Sequence, residues 1–183
     1  MEDTLQKIIT FTDQAHGQQT RKYTPDRYIV HPVRVMETCR KYTDDISVLA
    51  AALLHDVLED TPVTTGEIRY FLSGLLNPQQ VDKTTLMVEE LTDVYVKKDY
   101  PGLNRRSRKS KELERLKKIS PDSQTIKYAD IMDNSVEIAT QDTDFALVYL
   151  KESRTIMLNL TKGNEELYGE TMKVIDEAIN QLK

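Results

Sequence analysis

The segment His55-Asp56-Val57-Leu58-Glu59-Asp60 sets an imidazole and three carboxylates directly behind Ile46 to Leu54, the most apolar run of the chain. At about 100° per residue, His55 and Glu59 share one helix face, and Asp56 and Asp60 share another. Carboxylates this close repel one another. Burying them uncompensated costs several kcal/mol per charge. A divalent cation removes that cost and explains acids at the end of a buried helix. One helix segment cannot supply a whole coordination shell. Two further candidate ligands are His31, at the start of its own helix, and Asp130, a lone acid after apolar residues in Ile126-Lys127-Tyr128-Ala129-Asp130. Two imidazoles and two carboxylates form a mixed N/O set that suits Mn²⁺, Fe²⁺ or Zn²⁺. The single cysteine, Cys39, reads as a small helix hydrophobe, so no thiolate site and no internal disulfide are expected.

The elements that must position these residues read as helices throughout. Leu5 to His16 carries Leu5, Ile8, Ile9, Thr12 and His16 on one stripe. Gln18 to Val30 is an irregular connection. A helix then starts near His31 with Pro32 in its first turn. The next runs from Asp45 to Asp60, apolar on nearly all sides in its first half, which assigns it to the middle of a bundle. Thr61-Pro62 ends it. Further helices are expected over Thr65–Leu76, Pro78–Leu91 (capped by Asn77), Arg105–Lys118, Pro121 to about Thr140 (opened by Ser120), Phe145–Leu160 (capped by Asp144), and from Gly163-Asn164 onward. Thr92 to Asn104 reads as a loop. No repeat or linker divides the chain, so residues 1–183 are read as one all-α domain.

Composition narrows the function. The 183 residues carry a net charge of −5, with 39% hydrophobic and 30% charged residues. An acidic chain is a poor binder of nucleic-acid polymers. No apolar run approaches a membrane span, and the acidic start Met1-Glu2-Asp3-Thr4 is unlike a signal peptide. A cytoplasmic protein without membrane association is expected. Local basic clusters remain at Arg21, Lys22 and Arg27 and from Lys97 to Lys118. They read as solvated faces or as a landing area for a small polyanion.

The order His31…His55-Asp56…Asp130 resembles the H…HD…D signature of the HD superfamily, a helical-bundle fold. Within it the chain is similar to the hydrolase domain of RelA/SpoT homologues, above all the small stand-alone alarmone hydrolases. The matching segments are Ala15-His16-Gly17-Gln18, Arg21-Lys22, Tyr28-Ile29-Val30-His31-Pro32, Ala51 to Thr61, Leu91-Thr92, and Lys127-Tyr128-Ala129-Asp130 with Asn134. The resemblance implies one Mn²⁺ held by His31, His55, Asp56 and Asp130. It makes Glu59 and Asp60 the acidic pair that positions or activates the attacking water. It sets Arg21 and Lys22 beside the nucleotide and its phosphates, and Asn134 as a nucleotide contact. The implied reaction is removal of the 3′-pyrophosphate of guanosine alarmones, with a nucleotide as the partner and oligomeric state open. Arg105 and Lys109 are further candidates for the phosphates, and His16 is read as structural. The chain departs from the family where an N-M-R-T-like run is usual: here it reads Asn134-Ser135-Val136-Glu137, preceded by Asp133. Glu137 stands where a threonine helps read guanine. The alternatives are therefore an HD phosphohydrolase acting on another phosphorylated nucleotide, such as a nucleoside monophosphate or NADPH, and a non-catalytic nucleotide-binding module.

Overall fold

The computed structural model of the chain describes residues 1–182, apart from the side chains of 143 and 144. Among the described residues there are ten helices: α1 Glu2–His16, α2 Val30–Arg40, α3 Ile46–Leu54, α4 Val57–Asp60, α5 Thr65–Ser73, α6 Pro78–Leu91, α7 Arg105–Leu116, α8 Pro121–Gln141, α9 Thr143–Asn159 and α10 Glu165–Gln181. The all-α expectation holds.

Local chemistry sets most boundaries. Asn77 Oδ1 accepts a hydrogen bond from Gln80 N, Gln80 Oε1 accepts one from Asn77 N, and Pro78 opens the helix. Ser120 with Pro121 opens α8, and Asn104 and Asn164 cap α7 and α10. Thr64 and Glu67 form a reciprocal cap on α5. That helix stops at Ser73, short of the expected Leu76. The cap of α9 is Asp142, whose carboxylate accepts from Phe145 N, so the helix begins before Phe145. The expected cap, Asp144, has a side chain outside the described residues. Gly17 ends α1 at φ 58, a backbone conformation that costs glycine little.

Helix α3 is the axis of the bundle. Every residue from Ser47 to Leu54 is buried, and α1, α2, α6 and α8 surround it. Helix α8 packs against α2 on one side and α9 and α10 on the other. The apolar residues of α1, α3, α8 and α10 join a single core. No helix among the described residues is long and apolar enough to cross a membrane.

One expectation fails instructively. The helix from Asp45 to Asp60 is not continuous: it breaks at His55 and Asp56, and α4 restarts at Val57. Neighbours on a regular helix diverge by about 100°. The break lets His55 and Asp56 address one point. Thr61 does end the second piece, in an extended conformation before Pro62. The connection over 18–29 is also less irregular than expected. Thr20 and Arg27 form an antiparallel bridge, with Arg21 N donating to Asp26 O and Tyr28 N to Gln19 O. This small loop presents Arg21 to α8 and Tyr28 to Asp56.

Candidate metal centre and adjoining cavities

Four side chains from three places in the chain converge. His31 comes from the first turn of α2, His55 and Asp56 from the break after α3, and Asp130 from the middle of α8. His31 Nε2 lies 3.6 Å from Asp56 Oδ2 and 3.3 Å from Asp130 Oδ1. His55 Nε2 lies 3.1 Å and 3.9 Å from the same two oxygens. Donor atoms about 2.1 Å from a shared cation stand roughly 3.0–3.4 Å apart; the 3.1 and 3.3 Å spacings match that, and the 3.6 and 3.9 Å spacings are a few tenths of an ångström wider. The tightest group is His31, His55 and Asp56, with Asp130 reaching both imidazoles from the α8 side.

The opposite edge of each imidazole is fixed. His31 Nδ1 is 2.6 Å from Asp133 Oδ2, and His55 Nδ1 is 2.8 Å from Ala52 O. Each bond assigns the proton to Nδ1 and turns Nε2 inward, the arrangement that orients metal-binding histidines. His55 Nε2 is buried and has no hydrogen-bond partner. That orphaned atom, aimed at two carboxylates, fits a cation at the centre.

The electrostatics agree. Burial opposes charge on both imidazoles. For His31, the hydrogen bonds and charges of Asp130, Asp133 and Asp56 overcome it and lift the pKa to about 9. His55 is raised as well, against its burial, chiefly by Asp56. Burial likewise opposes charge on Asp56 and Asp130. The imidazoles, joined by Lys127 at Asp130, nevertheless hold both carboxyls below the ordinary range. Such a donor set demands positive charge at its middle, as protons on imidazole or as a divalent cation.

Of the acidic pair, Glu59 turns inward and Asp60 does not. Glu59 Oε2 accepts from Asp93 N at 3.0 Å. Burial, then the Asp93 charge, pushes its carboxyl up to about 7. Asp60 is exposed at the rim, close enough to add to the charge felt by the Tyr28 phenol.

The remaining candidates fall into two cavities that share Tyr149 as a wall. One, of about 360 Å³, is bounded by Arg105, Lys109, Asp93 and Glu152 and reaches Lys127 and Asp130. The other, of about 380 Å³, is lined by Arg21, Lys22, Tyr28, Asn134, Glu137 and Phe145. Arg21 is buried and donates to Asn134 Oδ1 at 2.7 Å. Lys22 is exposed, with Nζ 2.7 Å from the Tyr23 hydroxyl and above the Phe145 ring. Arg105 pairs with Glu152 at 2.6 Å, and Lys109 with Asp93 at 3.5 Å. Neither is a ligand of the central group. His16 is buried, stacked on the Tyr28 ring, with Nδ1 3.0 Å from Gln19 Oε1.

Several residues at the centre carried no role in the sequence reading. Tyr28 donates to Asp56 Oδ2 at 2.6 Å, Lys127 Nζ holds Asp130 Oδ2 at 2.8 Å, and Arg34 grips Asp133 through two bonds of 2.6 and 2.9 Å. Lys127 and Asp130 stand three apart on one helix, a spacing that signals contact. Tyr28 lies three residues before His31. Nothing local pairs Arg34 with Asp133.

The family model described as the HD domain matches residues 28–135, and the chain belongs to the HD domain family. Two curated relatives carry the name guanosine-3′,5′-bis(diphosphate) 3′-pyrophosphohydrolase. The Aquifex aeolicus protein is 40% identical over 67 residues, covering 37% of this chain and 10% of that protein. The Mus musculus protein MESH1 is 37% identical over 135 residues, covering 71% of this chain and 66% of that one. The chain thus matches a small part of the first relative and just under two thirds of the second. A solved structure described as a metazoan ortholog of SpoT that hydrolyzes ppGpp shares the fold at a TM-score of 0.77 and 24% identity, over 97% of this chain and 94% of that one. The Listeria monocytogenes protein lmo0812 shares it at 0.59 and 21% identity, over 87% and 99%.

Proposed function

We propose that the chain is a metal-dependent phosphohydrolase that removes the 3′-pyrophosphate of guanosine alarmones, with one Mn²⁺ held by His31, His55, Asp56 and Asp130. The observation that carries this reading is the convergence of two inward Nε2 atoms on the carboxylate oxygens of Asp56 and Asp130, at N–O distances of 3.1–3.9 Å, beside the cavity that Asp130 lines. The names of the relatives supply the substrate class. The same reading takes residues 1–183 as one domain, because α1 and α10, outside the matched segment, share the core with α3 and α8.

A bound divalent cation would supply Lewis acidity and make a water nucleophilic near neutral pH. The chain's own groups do the rest. Glu59, with its carboxyl near 7, takes up the proton of the attacking water at its Oε atoms. Asp60, at the rim, relays that proton to solvent. Lys127, kept protonated by Asp130, Asp93 and Asp56 despite burial, holds positive charge beside the reacting phosphate. Arg105 and Lys109 attract the phosphates in one cavity. In the other, Arg21, Lys22 and Asn134 hold the nucleoside, with Arg21 and Lys22 offering stacking and charge.

A second reading keeps the chemistry and changes the substrate to another phosphorylated nucleotide. It is favoured by Glu137, a carboxylate in the wall of the Arg21 cavity. A panel of nucleotides assayed with Mn²⁺ separates the two. Release of GDP and pyrophosphate from ppGpp, with slower turnover of nucleoside monophosphates and NADPH, supports the first. Orthophosphate from the latter compounds, with ppGpp inert, supports the second. No turnover of any of them with tight nucleotide binding leaves a binding module.

A further inference from the structure

Glu137 also has a place in the wiring of the centre that its position in the Arg21 cavity does not convey. It sits on the face of α8 that carries Asp130, Asp133 and Asn134, at helical spacings of three, four and seven from Asp130. Its carboxylate touches two guanidinium groups. Arg21 Nε lies 3.2 Å from each of its oxygens, and Arg34 Nη2 donates to Oε2 at 3.1 Å.

Each arginine continues to a different candidate ligand. Arg21 Nη2 donates to Asn134 Oδ1 at 2.7 Å, and Asn134 Nδ2 donates to Asp130 Oδ1 at 2.6 Å. That oxygen is the one facing both imidazoles. Arg34 grips Asp133 through two bonds, and Asp133 Oδ2 meets His31 Nδ1 at 2.6 Å. We infer that Glu137 is a positioning residue for the metal centre: one carboxylate locks two arginines, and through them aims Asp130 and His31.

The chemistry of each link makes the lock directional. Both ends of the Asn134 amide are assigned while Arg21 stays in place. Once Arg21 moves, the amide loses the anchor on its oxygen and is held only through its bond to Asp130. The Arg21 side chain is 8% exposed and that of Glu137 11%, so Arg21 without Glu137 is a buried charge with no carboxylate partner, while Glu137 without Arg21 keeps only Arg34. The Arg34 side chain is 44% exposed, and only its fork onto Asp133 and Glu137 restricts it.

The inference rests on the metal centre proposed above, and the experiment separates the two. Mn²⁺ alone, without nucleotide, is titrated calorimetrically into the full chain and into the Glu137→Gln, Arg34→Met and double variants. Tm is measured on the same samples in chelator. Removing groups that orient ligands typically weakens a metal about 10–100-fold, and that loss is expected for Glu137→Gln. Arg34→Met, which cuts one arm, is expected to weaken Mn²⁺ less, with an unchanged Tm in chelator. The double variant should lose less than the product of the two single losses, because they share an arm. If Glu137→Gln fails to fold, the exposed Arg34→Met decides. Wild-type affinity in both single variants, or a loss in Arg34→Met that comes with a lowered Tm in chelator, overturns the inference. A wild-type chain that binds no Mn²⁺ overturns the metal centre and this inference with it.

Discussion

The corner at His55 and Asp56 meets Asp130, which also lines the cavity beside the basic helix α7, and the two regions are built on opposite terms. At the corner the histidines and Asp130 are buried, and His31, His55, Asp56 and Asp130 each face one of the others from a distant part of the chain. Along α7, the Arg105 and Lys109 side chains are 48% and 42% exposed, each paired with one acid. Exposed pairs contribute about 1 kcal/mol or less, so a basic run costs the fold little and says little by itself. Buried carboxylates cost several kcal/mol each unless something answers them, so their presence is informative. The strength of a functional signal follows the cost of keeping it.

The sharpest way to test that contrast is to change one buried acid without touching a ligand. Glu59→Gln is expected to lower kcat by roughly 10²–10⁴-fold while Mn²⁺ binds as before, as read by steady-state rates beside a metal titration. The sign of the pH dependence follows from its carboxyl near 7. As a proton acceptor it works only when ionised, so the rate should climb as pH rises through about 7. In the glutamine variant that limb should vanish. A limb that survives assigns the proton to another group.

The exposed side of the comparison should yield less. Arg105→Ala and Lys109→Ala are expected to raise KM roughly tenfold or less, with kcat nearly unchanged and the effect fading in high salt. A loss of kcat as large as that of Glu59→Gln would erase the distinction between the two regions.

The same difference governs what could be read from residue order alone. Helix ends were legible where a cap and a proline coincide, as at Asn77-Pro78 and Ser120-Pro121, because that chemistry is local. The cluster from His55 to Asp60 stood out because charge beside so apolar a run has few explanations. The break at His55 was not legible. No glycine or proline marks it. Asp133 stands out in the sequence only as a departure and Arg34 not at all, because their pairing spans 99 residues, and a lone charge on a helix face looks the same whether it faces water or a histidine. Glu137 was read as a departure at the base pocket, whereas its carboxylate is committed to Arg21 and Arg34.

The central claim is that four side chains share one ion. Crystals grown with Mn²⁺ and measured at its absorption edge locate the metal directly through anomalous scattering. The account predicts one strong peak per chain, about 2.2 Å from His31 Nε2, His55 Nε2 and oxygens of Asp56 and Asp130. It also predicts that the peak is gone in His55→Ala. A peak elsewhere, or none at this point while the four side chains keep their positions, would contradict it.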